Sequence, residues 1–236
     1  SVITAGHVRS NQEERLAALP PGAWPCNTFG NHDSSRVFCN YGDGKNNDIQ
    51  ARLYLMLLLC LKGTPFLYNG EEIGMSDYLL EDAKQYKDPL GYLFYEMAKG
   101  ELGLSEEAAT RVGSIRGRDK CRTPMQWAKK TNAGFSPEGI SPWLPVNPDY
   151  MDGINVEEQR DSRDSLWRFY QRMLHLRKNS QALTIGEYRE IDSGVADVLI
   201  FERSYGKETY TVVLNLSSRE QELRNDVHEF SSSIVI

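Results

Sequence analysis

The 236-residue chain has no apolar run long enough to cross a bilayer; the longest, Leu53-Tyr-Leu-Met-Leu-Leu-Leu-Cys-Leu61, falls well short of the roughly 20 residues required. That run predicts a buried helix in a soluble protein, with no membrane partner. Positive charge is not in excess either. With 27 Lys and Arg against 33 Asp and Glu the formal net charge is -6, so there is no electrostatic footprint for a phosphate backbone and nucleic acid is not an expected partner. Cysteine is scarce. Cys26, Cys39, Cys60 and Cys121 form no CxxC pair and are too sparse for a disulfide framework, which predicts reduced thiols in a cytoplasmic protein. His7, His175 and His228 lack metal-ligand spacing, and neither a metal nor a cofactor is expected. Internal repeats and low-complexity tracts are also missing.

What remains is the composition of an ordinary globular protein, 40% hydrophobic and 25% charged. Asn11 to Leu19 reads as a short helix with Glu13 and Glu14 in its first turn, stopped by Pro20-Pro21-Gly22. A short strand, Cys26-Asn-Thr-Phe-Gly30, runs into Asn31-His32-Asp33, and a helix from Asp48 to about Leu61 is apolar around most of its surface. Thr64-Pro-Phe-Leu-Tyr-Asn69 reads as a second strand, ending in Gly70-Glu71-Glu72-Ile73-Gly74. Strand, helix, strand with short links predicts a right-handed crossover with two parallel, adjacent strands. Both polar turns then fall at the carboxyl end of the sheet, where α/β folds place their chemistry. Residues 76–160 read as a long loop region with one helical piece near Ser105 to Val112, and loops of that length are usually functional. A helix follows from Leu166 to Arg177. Beyond Asn179 the period is that of strands, with a hairpin of Val198–Arg203 and Thr209–Asn215 and a last strand ending at Ile236.

Asp33 and the Glu71-Glu72 pair lie at the ends of neighbouring strands, which run about 4.8 Å apart. Spacing alone permits a carboxylate pair of the kind a retaining glycosidase uses, about 5 to 5.5 Å apart. It equally permits Asp33 to cap its turn while the two glutamates are solvated or salt-bridged, and spacing favours this second view.

Three ordered motifs carry more. Phe29-Gly-Asn-His-Asp-Ser-Ser-Arg36, Gly63-Thr-Pro-Phe-Leu-Tyr-Asn-Gly-Glu-Glu-Ile-Gly-Met75 and Gly117-Arg-Asp-Lys-Cys-Arg-Thr-Pro-Met-Gln-Trp127 resemble the alpha-amylase family of retaining α-glycosidases, in its α-glucosidase and oligo-1,6-glucosidase branch. Phe135-Ser-Pro and Pro142-Trp-Leu-Pro-Val-Asn147 continue the match. The resemblance implies an α/β chain that is the C-terminal part of a (β/α)8 TIM barrel followed by a small antiparallel β domain. Residues 24–33 would be the seventh strand, 64–70 the eighth and 76–160 an insertion, so that 1–180 belong to the barrel and 181–236 to the β domain. The family's nucleophilic Asp and acid/base Glu sit on the fourth and fifth strands, outside this chain, as does its first calcium site.

By the same resemblance Asp33 is the carboxylate that stabilises positive charge at the cleaved ring, His32 donates to a hydroxyl of that ring, and Arg118 grips the terminal glucose with an Asp from an early barrel loop. Arg36 would order the turn carrying Asp33 and keep its carboxyl ionised, Glu71 and Glu72 would support from behind, and Arg122 and Trp127 would pack the insertion. The implied activity is hydrolysis of terminal α-linked glucose from short oligosaccharides, completed by the missing N-terminal part of the barrel. A transglycosylating relative such as a trehalose synthase, and a non-catalytic fragment or partner subunit, are the alternatives.

Overall fold

The computed structural model describes residues 3–45 and 47–223; the strand expected to end at Ile236 lies outside them. Its elements in chain order are α1 (Ala5–Ala18), β1 (Cys26–Thr28), α2 (Val37–Tyr41), α3 (Asn47–Cys60), β2 (Thr64–Phe66), α4 (Pro89–Gly100), α5 (Glu106–Arg116), α6 (Val156–Asp161), α7 (Leu166–Lys178), α8 (Gln181–Ile185), β3 (Glu187–Ile191), β4 (Val198–Tyr205) and β5 (Glu208–Asn215). They divide between two compact units. One takes the chain up to Phe29, Arg52–Phe66 and the residues from Tyr170 onward; the other takes Gly30–Ala51 and Leu67–Phe169.

In the first unit β1 and β2 pair in parallel, Cys26 opposite Thr64 and Thr28 opposite Phe66, as the strand, helix, strand order requires. The expected hairpin is present, with Tyr205 opposite Glu208, and β3 adds a third antiparallel strand on β4. Three boundaries differ from expectation. Helix α1 begins at Ala5, because the Thr4 side chain accepts from His7 N at 3.2 Å, so Glu13 and Glu14 lie in its interior. The two parallel strands stop early, at Thr28 and Phe66. The short α8 precedes the sheet, capped by Ser180 on Leu183 N.

Helix α3 is buried nearly all round, from Leu55 through Cys60, which explains its continuous apolar sequence. Its last carbonyls lack partners within the helix, and two buried arginines supply them. Arg177 donates to Leu59 O and, at 2.7 Å, to Gly63 O; Arg203 donates to Cys60 O at 2.7 Å, Gly186 O at 2.9 Å and Glu187 O at 3.3 Å. Cations at a helix C-terminus also complement its dipole. Burial, and next the charge of Arg177, push the Arg203 guanidinium down to about 10.

The second unit holds residues 76–160, where α5 matches the helical piece expected near Ser105 to Val112 and α4 replaces expected loop. Helices α4 and α5 form an antiparallel pair around Tyr95, Ala98 and Ala109. They approach so closely that a methyl group on Gly113 would lie 2.6 Å from Gly91 O. Asp88 caps α4 and Pro89 occupies its first position. Ile73, Met75 and Met125 form a second small core.

Between Asp33 and α3 the chain makes the unforeseen helix α2, with Arg36 at its N-cap. Arg36 is 2% exposed, donates through Nη1 to Asn69 O at 2.8 Å and lies 5.1 Å from the Tyr68 ring centre. It therefore fixes the turn after β2. Glu71 lies beneath Gly30, where a methyl group would come 2.1 Å from its Oε1. Its Oε2 accepts from Tyr68 N at 3.2 Å, whereas buried Oε1 has no hydrogen-bond partner. Burial, against the Tyr68 hydrogen bond and the charge of Arg36, pushes the Glu71 carboxyl up to about 7.

Two measurements follow from these burials. Arg203→Met strips donors from three carbonyls and is expected to lower the unfolding free energy by about 3 kcal/mol in chemical denaturation; a change below about 0.5 kcal/mol would show that those carbonyls find other donors. Glu71 carries no penalty below pH 4.5, where folded and unfolded carboxyls are both protonated; the penalty grows as pH rises and is complete above about 7. Between about pH 4 and pH 8 the stability of Glu71→Gln should therefore rise relative to wild type by about 3 kcal/mol, and a pH-independent difference would contradict the buried, neutral carboxyl.

Candidate active site

The Asn31-His32-Asp33 turn belongs to the second unit. Asn31 Oδ1 accepts from Asp33 N at 2.8 Å, an Asx turn that closes the loop locally and presents both following side chains outward. The His32 and Asp33 side chains are 69% and 53% exposed, with His32 Nε2 3.5 Å from Asp33 Oδ2.

Two guanidinium groups converge on the other oxygen. Arg118 Nη1 lies 3.1 Å and Arg122 Nη2 2.8 Å from Asp33 Oδ1. Arg122 Nε also donates to His32 O at 2.7 Å, so it ties together the main chain and side chain of the turn. Such desolvation as Asp33 has raises its pKa; the Arg118 hydrogen bond, the His32 and Arg118 charges and the Arg122 hydrogen bond outweigh it and hold the carboxyl below its ordinary range. Asp33 is thus a fixed anion whose Oδ1 is saturated and whose Oδ2 is left facing His32.

Arg118 is itself held from behind. The Asp88 side chain is 0% exposed and accepts from Arg118 N at 2.7 Å, Nε at 3.0 Å and Nη2 at 2.7 Å. Those hydrogen bonds, the Arg118 side chain's first, bring the Asp88 carboxyl to about 2 despite its burial. Asp119 Oδ2 accepts from Lys87 N at 2.7 Å and Asp88 N at 2.9 Å, fixing the segment that carries Asp88.

The structure brings His32, Asp33 and Arg118 together and changes two assignments. Arg122 touches Asp33 rather than only packing the insertion. The cations that keep Asp33 ionised are Arg118 and Arg122 with His32, while Arg36 is directed to Asn69. Within this chain Arg118 pairs with two carboxylates, Asp33 and the buried Asp88. As spacing favoured, Glu71 and Glu72 form no pair with Asp33: Glu71 lies under Gly30, and Glu72 Oε2 accepts from Gly70 N at 2.7 Å.

Of the unforeseen residues, Asp88 carried a signal, since Asp-Pro is a helix N-cap and first position. Arg122 carried none beyond its place in the third motif. Trp127 is 48% exposed, and Trp143, 54% exposed, donates through Nε1 to Arg122 O at 3.0 Å. Among the described residues no three His, Cys, Asp or Glu cluster as metal ligands. A cavity of about 600 Å³ in the same unit, walled by Phe38, Ile73, Ser76, Asp149 and Leu166 among others, includes none of the Asp33 group. Charge convergence, not cavity size, marks the candidate site.

Comparison with known proteins agrees with these motifs. Residues 3–186 match the alpha-amylase catalytic domain. A glucan 1,6-alpha-glucosidase from Streptococcus dysgalactiae subsp. equisimilis is 39% identical over 208 residues, covering 86% of this chain and 37% of the relative. An oligo-1,6-glucosidase from Bacillus cereus is 33% identical over 214 residues, 90% of this chain and 38% of the relative. Among solved structures, the trehalulose synthase MutB, in a complex with Tris, superposes with a TM-score of 0.78 at 31% identity, covering 92% of this chain and 39% of that one. The chain spans little more than a third of the length of the proteins it matches. With a domain match over most of its length and relatives above 30% identity across more than four-fifths of it, the chain belongs to the alpha-amylase family.

Proposed function

We propose that the chain is the C-terminal portion of a retaining α-glucosidase acting on terminal α-linked glucose of short oligosaccharides. The observation that carries this is the exposed Asp33 carboxylate, kept ionised by Arg118 and Arg122 beside His32, in a chain of this family. In this reading residues 24–33 and 64–70 are the seventh and eighth barrel strands, residues 1–180 complete the barrel, and residues from 181 onward form the β domain.

The chemistry follows from the geometry. Cleavage of a glycosidic bond through an oxocarbenium-like transition state places positive charge at the ring. A carboxylate fixed before the reaction begins strengthens its attraction as that charge appears, which lowers the barrier more than it tightens ground-state binding. Oδ1 being saturated by two guanidiniums, Oδ2 is the oxygen that meets the sugar, with His32 and the outer edge of Arg118 as hydroxyl donors. The nucleophile and the general acid of the double displacement come from the rest of the protein. Of this chain's carboxyls, Asp88 is buried against Arg118 and Glu71 is buried beneath Gly30.

A second reading is a transglycosylating or isomerising enzyme, favoured by the likeness to trehalulose synthase structures at 31% identity. Exclusion of water from the glycosyl-enzyme separates it from the first. A non-catalytic fragment is the third reading.

In the complete protein, Asp33→Asn should lower kcat on a chromogenic α-glucoside by at least 100-fold with little change in KM or melting temperature; a well-folded variant with wild-type kcat would remove Asp33 from the mechanism. The 236-residue chain alone should show no turnover of the same substrate, and measurable release of chromophore by the pure chain would refute the assignment of nucleophile and acid to other residues.

A further inference from the structure

We propose that Asp88 is a positioning residue, which aims Arg118 at Asp33. The inference rests on the reading in which Asp33 and Arg118 meet the terminal glucose, and it names what fixes that pair. A guanidinium has five N–H donors in a rigid plane. Asp88 takes one edge of that plane, Nε on Oδ2 at 3.0 Å and Nη2 on Oδ1 at 2.7 Å, and holds the Arg118 main chain as well, through N on Oδ2 at 2.7 Å. Nη1 is thereby turned to Asp33 Oδ1 at 3.1 Å. An arginine on a long flexible stem would sample many rotamers and contribute little as an exposed pair. Clamped along one edge and at its main-chain N–H to a fully buried carboxylate, it is in place before substrate arrives, and preorganisation of this kind accelerates reactions.

Asp88 is equally constrained. It caps α4 through Leu90 N at 3.3 Å, and its own N–H is held by Asp119. The aim of Arg118 is therefore set by the start of a helix rather than by a mobile loop. Charge points the same way: the carboxylates of Asp88 and Asp33 balance the guanidiniums of Arg118 and Arg122. Without Asp88 the guanidinium loses its anchor and turns toward water, and Asp33 loses one of its two cations.

The test uses the complete protein with Asp88→Asn, Arg118→Gln and the double variant. Asn keeps an acceptor for Leu90 N and removes the oxygen that Arg118 N and Nε share; Asp88→Ser, which also caps helices, serves if Asn does not fold. Two quantities are read: kcat and KM on a chromogenic α-glucoside, and titration of the Asp33 carboxyl by NMR, assigned by its loss in Asp33→Asn. Each single variant is expected to lose at least 30-fold in kcat/KM, mainly in kcat, and the double variant no more than about 3-fold further, since both remove one device. The Asp33 titration should move up to the same place in all three. Wild-type kinetics in Asp88→Asn with only a lowered melting temperature, losses that multiply in the double variant, or an Asp33 titration that stays put would overturn the proposal. Absence of α-glucosidase activity in the wild-type protein would instead refute the proposed function, and the titration would still decide the role of Asp88.

Discussion

A guanidinium taken out of water must direct its donors at fixed acceptors, and in both units local order depends on arginines that do so. Arg177 and Arg203 complete the end of α3, Arg36 fixes the turn after β2, and Arg118 joins the start of α4 to the turn carrying Asp33. The acceptors differ, and so do the consequences. Where an arginine meets backbone carbonyls it closes a helix or a turn and needs no partner charge. Where it meets a buried carboxylate it becomes a rigid carrier of charge that can serve chemistry outside the core.

This division explains how a half-exposed carboxylate can be held in one geometry. Asp33 gains its conformation from a local Asx turn and its ionisation from two guanidiniums, one buried at its far edge and one tied to the main chain of the turn itself. Exposed ion pairs are ordinarily weak and mobile. Here the order is transmitted outward from Asp88, which is shielded from water, so the outermost pair inherits a geometry it could not maintain alone.

The sequence revealed the features whose physics is local. The continuous apolar run gave α3, the short polar link gave the β4–β5 hairpin, and the order of elements gave the parallel β1–β2 pair. Helix α4 was hidden because Pro89, Gly91 and Gly100 look like loop residues, although Pro89 belongs at a first helical position and the Gly91 backbone faces Gly113 on α5. The motifs marked His32, Asp33 and Arg118. They gave Arg122 only a packing role and left Asp88 unassigned, because Arg122 reaches Asp33 across 89 residues and Asp88 meets Arg118, 30 residues away. Spacing along a chain carries no record of which arginine turns toward which acid.

The capping of α3 has a consequence for the order of events in folding. Its last carbonyls wait for Arg177, 118 residues beyond Leu59, and Arg203, 143 residues beyond Cys60. At a synthesis rate of roughly 5–20 residues per second, that interval is on the order of ten seconds. Throughout it α3, whose side chains from Leu57 through Cys60 are buried in the folded chain, has emerged while the residues that finish it have not, so its apolar surface faces water for that interval.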